Sequence, residues 1–571
     1  MPGKHDALML AQATRPENRS HPSILAWLTS PATGRGIHVL QPGGEWVFWS
    51  YRDLAHLVSQ TADGLAELGI RRGGRVAILQ RPGADFVATF FGTMLAGGAC
   101  VPAAPPMAFQ HPASYRDHLT RLLRTARPRV IVADHSILDQ VRAAAGSAGT
   151  GLVIPGDDIR GGLPGGEPVH EGLIPDLPGE PALLQFTSGS SGAARAVPVT
   201  HGALASNVAA IRRWLRWTAD DPVASWLPLY HDMGLIGCFI TSVVSQSDFW
   251  LLPPEEFIHR PIEYVRCFGE LGARLTAMPN FGLDYIAKRV RAEDIERMDF
   301  SRWRAVIVGA EYLNDVSFER FHALLGPRGF RRTAMRPAYG LAEATLAVTG
   351  LPLAEEWTSV AVEPTSVAVN RPIIRTASDG GQVIVGSGRP LSRISVSVVD
   401  EEGKELPGSW VGEIVVRGPS VAAGYAGGTQ SATRFADGAV YTGDAGFIAD
   451  GQLFVLGRLG DALKIRGRSV FAEDLEVALG NAGVPRHRTA VALGLRNGTP
   501  TAVVVFERPQ PAWLDEARAL LGRRAEGADV AIVDLGSGTI PRTSSGKVRR
   551  RQIWLAFAGG SLPGRVAGNP R

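Results

Sequence analysis

The residues best suited to chemistry lie between Leu183 and Val199, in the stretch LLQFTSGSSGAARAVPV. An apolar run (Leu183, Leu184, Phe186) leads into Thr187, Ser188, Gly189, Ser190, Ser191 and Gly192, and Arg195 precedes a second apolar piece. The pattern predicts strand, loop, strand. Glycine lets a backbone turn its N–H groups inward and the hydroxyls add donors, so such a loop suits a chain of phosphates. A Gly/Ser linker has the same composition. The loop lacks a GxxxxGK[ST] run leading into a helix, which separates it from the P-loop of kinases and GTPases.

Further chemistry-bearing residues come later in the chain. In WLPLYHDMGLIG, Trp226 to Gly237, His231 and Asp232 stand between apolar residues; a lone buried histidine is more often a satisfied core residue than a catalyst. A strand expected over Arg304 to Glu311 ends in Gly309, Ala310 and Glu311, and open α/β sheets place ligands at the C-terminal ends of their strands. RPAYGLAEAT brings the ring of Tyr339, then Gly340, Leu341 and Ala342, and the carboxylate of Glu343 within five positions. YTGD puts Asp444 at the end of a later strand, Arg458 closes GQLFVLGR, and IPRTSSGK ends an expected exposed loop at Lys547.

The elements that must carry these residues read as α/β. Strands are expected at Trp46 to Trp49, Arg75 to Gln80, Arg129 to Asp134 and Arg274 to Pro279, alternating with helices, which implies a mainly parallel sheet. Ser50 and Asp53 form a capping-box signature for a helix carrying Leu54, Leu57, Val58, Thr61, Leu65 and Leu68, which Gly69 ends. Phe86 to Val101 is too short for a membrane span and reads as a buried helix, so no integral membrane segment is expected. Asp157 to Gly179, rich in Gly and Pro, reads as an exposed connection. A helix with Leu204, Val208, Ile211 and Leu215 on one face carries Arg212, Arg213 and Arg216 elsewhere, a solvated face rather than a nucleic-acid surface. From Gly381 the texture becomes antiparallel β, as in ISVSVVD and GEIVVRG. Arg549 to Arg551 resembles a basic patch, and a helical surface beside the Lys547 loop is the preferred reading.

The totals bound the answer. At 571 residues the chain exceeds one compact core. The expected division is a body over 1–457, with a β subdomain from about 381, and a mobile α+β unit over 458–571. A net charge of +4 fits anionic small molecules at least as well as nucleic acid. Three widely spaced cysteines (Cys100, Cys238, Cys267) and the absence of an export signal in Met1 to Ser23 point to a reducing cytoplasm.

Taken together, TSGSSGAAR, GAE, YGLAE, YTGD, GRLGDALKIRG and the SGK ending resemble, in order and spacing, the adenylate-forming superfamily of acyl-CoA synthetases, nonribosomal adenylation domains and luciferases. The resemblance covers nearly the whole chain. It implies ATP as the nucleotide, with Thr187 to Gly192 on its phosphates and Gly309, Ala310, Glu311 and Tyr339 to Ala342 around the adenine. Asp444, with Arg458 beside it, would bind the ribose hydroxyls, Glu343 would bind Mg²⁺, and Lys547 would bridge the acid carboxylate and the α-phosphate. His231 joins Lys547 and Glu343 as a catalytic candidate. The implied reaction makes an acyl adenylate and pyrophosphate, then a thiol displaces AMP after rotation about a hinge, here Leu459 to Asp461.

WLPLYHDMGLIG and YGLAEATL resemble the fatty acyl-AMP ligase branch, and the stretch roughly from Gly350 to Gln382 resembles its insertion, with a variable surface loop as the alternative. That implies a hydrophobic carboxylic acid as substrate and an acyl carrier protein, or a polyketide or nonribosomal synthase carrier domain, as acceptor. Free CoA and a non-catalytic nucleotide binder are the rival readings. The chain departs from the superfamily at Ala194, Arg195 and Ala196, where Pro-Lys-Gly is usual, and at Gly460, where Asp or Lys is common. Trp226, Met233, Met278, Phe281 and Gly309 are the residues expected around the acid.

Overall fold

The computed structural model describes residues 22–106, 112–160, 169–187, 195–377, 381–427, 432–466, 468–543 and 546–566. The fold is α/β, as expected. A six-stranded sheet runs in the order Leu152–Pro155, Val130–Ala133, Arg75–Leu79, Ala99–Pro102, Pro181–Thr187, Arg195–Thr200. It is parallel except for its last strand, which returns antiparallel from the phosphate-loop candidate. Its strands read as continuous apolar runs because helices cover both faces. Helix Tyr51–Glu67 starts where expected, with Ser50 accepting a hydrogen bond from the Asp53 N–H at 3.1 Å. The run Phe86 to Val101 is not one helix. Helix Ala84–Leu95 stops before Gly97, whose φ is +80°, and the chain re-enters the sheet as strand Ala99–Pro102.

A second, nine-stranded sheet takes the strands that end near the other candidate residues. Its centre is parallel, with Leu275–Met278, Ala305–Val308 and Met335–Gly340 side by side, and Ala347–Gly350 adds antiparallel to the last of these. Gly309 to Glu311 therefore leave the C-terminal end of one strand beside Tyr339 at the end of the next. Beyond it, Ser395–Val399, Gly412–Arg417, Ala439–Ala449, Arg434–Ala436 and Gln452–Arg458 form the antiparallel sheet anticipated from the alternating texture.

A 3₁₀ turn at Leu459–Asp461 leads into the last hundred residues. There the two faces of strand Thr499–Glu507 bury different layers, as the period of two requires. Ala502, Val504 and Phe506 pack with helices Ala472–Asn481 and Pro511–Arg524, whereas Val503 and Val505 pack with helix Arg550–Ala558. Arg550 corrects the expectation of a solvated surface. It sits among Asp461, Glu473 and Glu476, with at most 15% of any of these side chains exposed.

The stretch from Gly350 to Gln382 is built into the body. Strand Ser359–Val362 pairs antiparallel with Gln382–Val385, Val362 facing Gln382. Val362, Val367 and Ile384 share an apolar cluster with Phe447 and Phe454 of the antiparallel sheet and with Phe471 from beyond the 459–461 turn. Its base is held by Arg336, only 1% exposed, whose guanidinium donates to the carbonyls of Thr333, Pro352, Leu353 and Glu355. Burial lowers the Arg336 pKa to about 10, so the group keeps its charge.

Candidate active site

One cavity of about 1810 Å³ collects Thr187, His231, Gly309, Glu343, Asp444 and Lys547. It exceeds the 300–1,000 Å³ usual for one small-molecule site, so it has room for a nucleotide and a second substrate together. Thr187 and Arg195, the partnered ends of the hairpin, are in place. Ser188, Gly189, Ser190, Ser191 and Gly192 lie outside the described residues.

The strand ends make a narrow slot. A Cβ on Gly340 would lie 2.0 Å from the Leu346 carbonyl oxygen, and one on Gly309 would lie 3.0 Å from that of Ala338, so no side chain fills the gap. Ala310 takes φ +64°, a left-handed conformation that the turn imposes on a non-glycine residue. Glu311 accepts a hydrogen bond from the Phe281 N–H at 3.1 Å. Leu341 and Ala342 line the cavity beside Tyr339.

The Tyr339 hydroxyl donates to Asp444 Oδ2 at 2.6 Å, and Arg458 Nε lies 2.7 Å from Oδ1. The pair sits across the register Asp444 to Arg458 of two adjacent strands. Burial, reinforced by the Asp444 charge, raises Tyr339 well above the ordinary phenol range, and the same carboxylate raises Arg458. Two acceptor positions of the carboxylate are thus taken and about two remain, enough for a pair of vicinal hydroxyls. If Asp444 binds the ribose of ATP, as the resemblance implies, its replacement by Ala is expected to raise the KM for ATP with a smaller effect on kcat, because such a contact is alike in ground and transition states. An unchanged ATP KM in pyrophosphate-release kinetics would rule this out.

Glu343, 6% exposed, lies in a 3₁₀ turn over Ala342–Ala344. Fully buried Asn207 anchors the exit of that turn, donating to the carbonyls of Ala344 and Ala347 and accepting from the Ala347 N–H. His231 Nδ1 is 2.8 Å from Asp232 Oδ1. Buried Gln185, two residues before Thr187, donates to the Tyr230 carbonyl at 2.9 Å and so ties the His231 turn to the hairpin through Thr187 and Arg195. Burial alone would raise the Asp232 carboxyl, but His231 and Lys547 draw it below its ordinary value. His231 is therefore a paired cavity residue rather than a core histidine.

Lys547 reaches the cavity from a closed turn in which the Thr543 N–H donates to its carbonyl at 2.8 Å and Thr543 Oγ1 accepts from its N–H at 3.0 Å. Trp226, Met233 and Phe281 line the cavity, with Trp226 stacked on Phe257 at 4.0 Å between centroids. Met278, expected there, is fully buried in the core below. The parts that sequence reasoning missed are Gln185 and Asn207. Each is a lone amide inside an apolar run, which is the available signal for a buried polar tether.

Arg195 is 8% exposed, and its guanidinium lies 5.5 Å from the centre of the Tyr425 ring. A planar cation stacks on a ring in a way an ammonium does not, which gives the Lys-to-Arg departure a local structural basis.

With this geometry in place, comparison with known proteins gives the class. Residues 30–426 match the AMP-binding enzyme family, and the chain belongs to that family. A Caulobacter vibrioides protein named as an acyl-CoA synthetase is 31% identical, over 95% of this chain and 96% of its own. The medium-chain fatty acid acyl-carrier-protein ligase JamA of Moorena producens is 29% identical, over 90% of each chain. A solved structure from a study of fatty acyl-adenylate ligases from E. coli and L. pneumophila superposes with TM-score 0.84 at 26% identity, covering 94% of this chain and 98% of that one.

Proposed function

We propose that this enzyme activates a hydrophobic carboxylic acid with ATP to an acyl adenylate, releasing pyrophosphate, and passes the acyl group to the phosphopantetheine thiol of a carrier protein. The observation that carries the reading is the meeting of Tyr339, Glu343, Asp444 and Lys547, from three separate motifs, around one cavity. A protein that only bound a nucleotide would have no use for an ammonium delivered to that cavity from the far end of the chain.

In this reading the body spans 1–457 and the unit beginning at 458 turns about Leu459 to Asp461. Thr187 and Arg195, with the loop between them, hold the phosphates. The slot at Gly309 to Glu311 and Tyr339 to Ala342 takes the adenine, and Asp444 with Arg458 fixes the ribose. Lys547 neutralises the acid carboxylate and the α-phosphate as their bond forms, since such chemistry needs positioning and charge more than covalent help. His231 and Asp232 set the electrostatics beside Lys547. The acid lies against Trp226, Met233 and Phe281, so its chain is apolar.

Mg²⁺ fits Glu343. Among the described residues no group of three or more His, Cys, Asp or Glu is placed to hold a metal, and Mg²⁺ typically takes one or two carboxylates with the substrate's phosphate oxygens. When bound, it supplies neutralisation of phosphate charge.

The carrier protein is favoured over CoA by the insertion. The Ser469 N–H donates to the Val367 carbonyl at 2.8 Å, and Phe471 packs on Val362 and Val367, so the segment grips the unit that must turn. A bias of about 3 kcal/mol toward this pose would keep the other below one percent, and a carrier's own contacts can offset what a small free thiol cannot. The acyl-CoA ligase reading has the name of the Caulobacter relative in its favour. The test replaces residues 363–381 by Asn-Gly, closing the Val362 to Gln382 pair as a two-residue hairpin. Acyl-CoA yield is expected to rise in the shortened enzyme with no gain in pyrophosphate release. Rapid acyl-CoA formation by the intact enzyme would move the assignment to a CoA ligase. Among the described residues no helix is long and apolar enough to cross a membrane.

A further inference from the structure

The segment Gly418 to Ala426 carries none of the motifs, yet it touches both halves of the phosphate end of the cavity. The Ala422 N–H donates to the Glu343 carbonyl at 2.8 Å, and the Ala426 N–H donates to the Ala196 carbonyl at 2.9 Å. Thr345, held at φ +72°, donates its hydroxyl to the Ser420 carbonyl at 2.7 Å. That conformation is strained for a threonine, and it persists because the surrounding bonds fix it. The segment is therefore a strap from the exit of the phosphate hairpin to the turn that bears Glu343.

Tyr425 is the side chain at the centre of the strap. Its hydroxyl donates to Glu343 Oε1 at 2.5 Å, its face carries the Arg195 guanidinium, and its edge packs on Phe435 at 5.2 Å and 84°. Among the described residues Glu343 Oε2 has no hydrogen bond, so the tyrosine fixes one carboxylate oxygen and leaves the other for a ligand. We propose that Tyr425 is a positioning residue that orients Glu343 toward a phosphate-bound divalent cation and, through its ring, sets the distance of Arg195 from that carboxylate. The inference rests on the metal role proposed above for Glu343. Partners of this kind around a metal ligand typically change metal affinity 10- to 100-fold when removed.

The measurement is calorimetric binding of a methylene-bridged, non-cleavable ATP analogue to the full chain, with and without Mg²⁺, for wild type, Tyr425→Phe, Tyr425→Leu and Glu343→Gln. Phenylalanine keeps the packing on Phe435 and the ring beneath Arg195 but removes the donor. The Tyr425→Phe variant should lose about tenfold of the tightening that Mg²⁺ produces while binding the metal-free analogue within about twofold of wild type. Its Mg²⁺ requirement for pyrophosphate release should rise in parallel. Tyr425→Leu should weaken metal-free binding as well, because Arg195 loses its support. A merely structural tyrosine would lower the melting temperature and leave the Mg²⁺-dependent tightening whole; that result in Tyr425→Phe, with Glu343→Gln impaired, overturns the inference alone. Full tightening in Glu343→Gln overturns the metal reading and the inference together.

Discussion

Lys547→Ala is expected to lower the rate of pyrophosphate release about 100- to 1,000-fold at saturating acid while the KM for ATP stays within a few-fold. Loss of one preorganised donor at a developing charge typically has that effect on the rate. The selectivity comes from placement. Tyr339, Asp444 and Arg458 form their own bonded set without reference to Lys547, so nucleotide binding survives its removal. The downward pull on the buried Asp232 carboxyl shows the ammonium's field already acting inside the cavity. The lysine side chain is exposed and its turn is closed by backbone and Thr543 bonds, so the melting temperature should not change. Pyrophosphate release at the wild-type rate by this variant would remove Lys547 from the mechanism.

The second large effect concerns stability. Arg550 lies 2.8 Å from Glu473, 2.6 Å from Glu476 and 3.4 Å from Asp461. Burial works against its charge, but Glu473 and Glu476 outweigh that and raise its pKa. Even with this cation, burial and the neighbouring carboxylates hold Glu473 up at about 7. Arg550→Met would leave three mostly buried carboxyl groups facing one another, and removing one partner of such a set destabilises by about 3–5 kcal/mol. A carboxyl whose folded pKa exceeds its unfolded value makes the fold less stable as pH rises from the unfolded pKa toward the folded one. The deficit of the variant should therefore be smallest near pH 5 and grow toward pH 7 and above. Urea denaturation of wild type and variant across that range is the measurement, and a pH-independent difference would sink the account.

The same residue marks where sequence reading stops. Arg549 to Arg551 look like a basic patch because three cations in a row suggest a surface, and the carboxylates that surround Arg550 come from 461, 473 and 476. Which charge a side chain meets is a tertiary fact. The Ser50 cap, the hairpin through Thr187 and Arg195 and the antiparallel texture after Gly381 were legible, since their signals are local and periodic. Phe86 to Val101 misled for the opposite reason. A helix and a strand that are both buried have the same unbroken apolar composition, and only Gly97 marks the change of direction. At the site, Glu343 and Asp444 are legible as carboxylates inside their motifs, whereas no local signal marks Tyr425, which only the partner of its hydroxyl reveals.

Arg336 sets a rule for how this enzyme can be remodelled. Three of the four carbonyls that receive its guanidinium belong to Pro352, Leu353 and Glu355, at the very root of the segment that begins at Gly350. Cutting the segment at its root would strand a buried cation and unsettle the strand that carries Tyr339, confusing a change of acceptor with a failure to fold. Length can change at the tip without disturbing that cation. The segment thus has a fixed socket: changes beyond Glu356 leave the Arg336 bonds intact, and a change that includes 352–355 must also provide for the arginine.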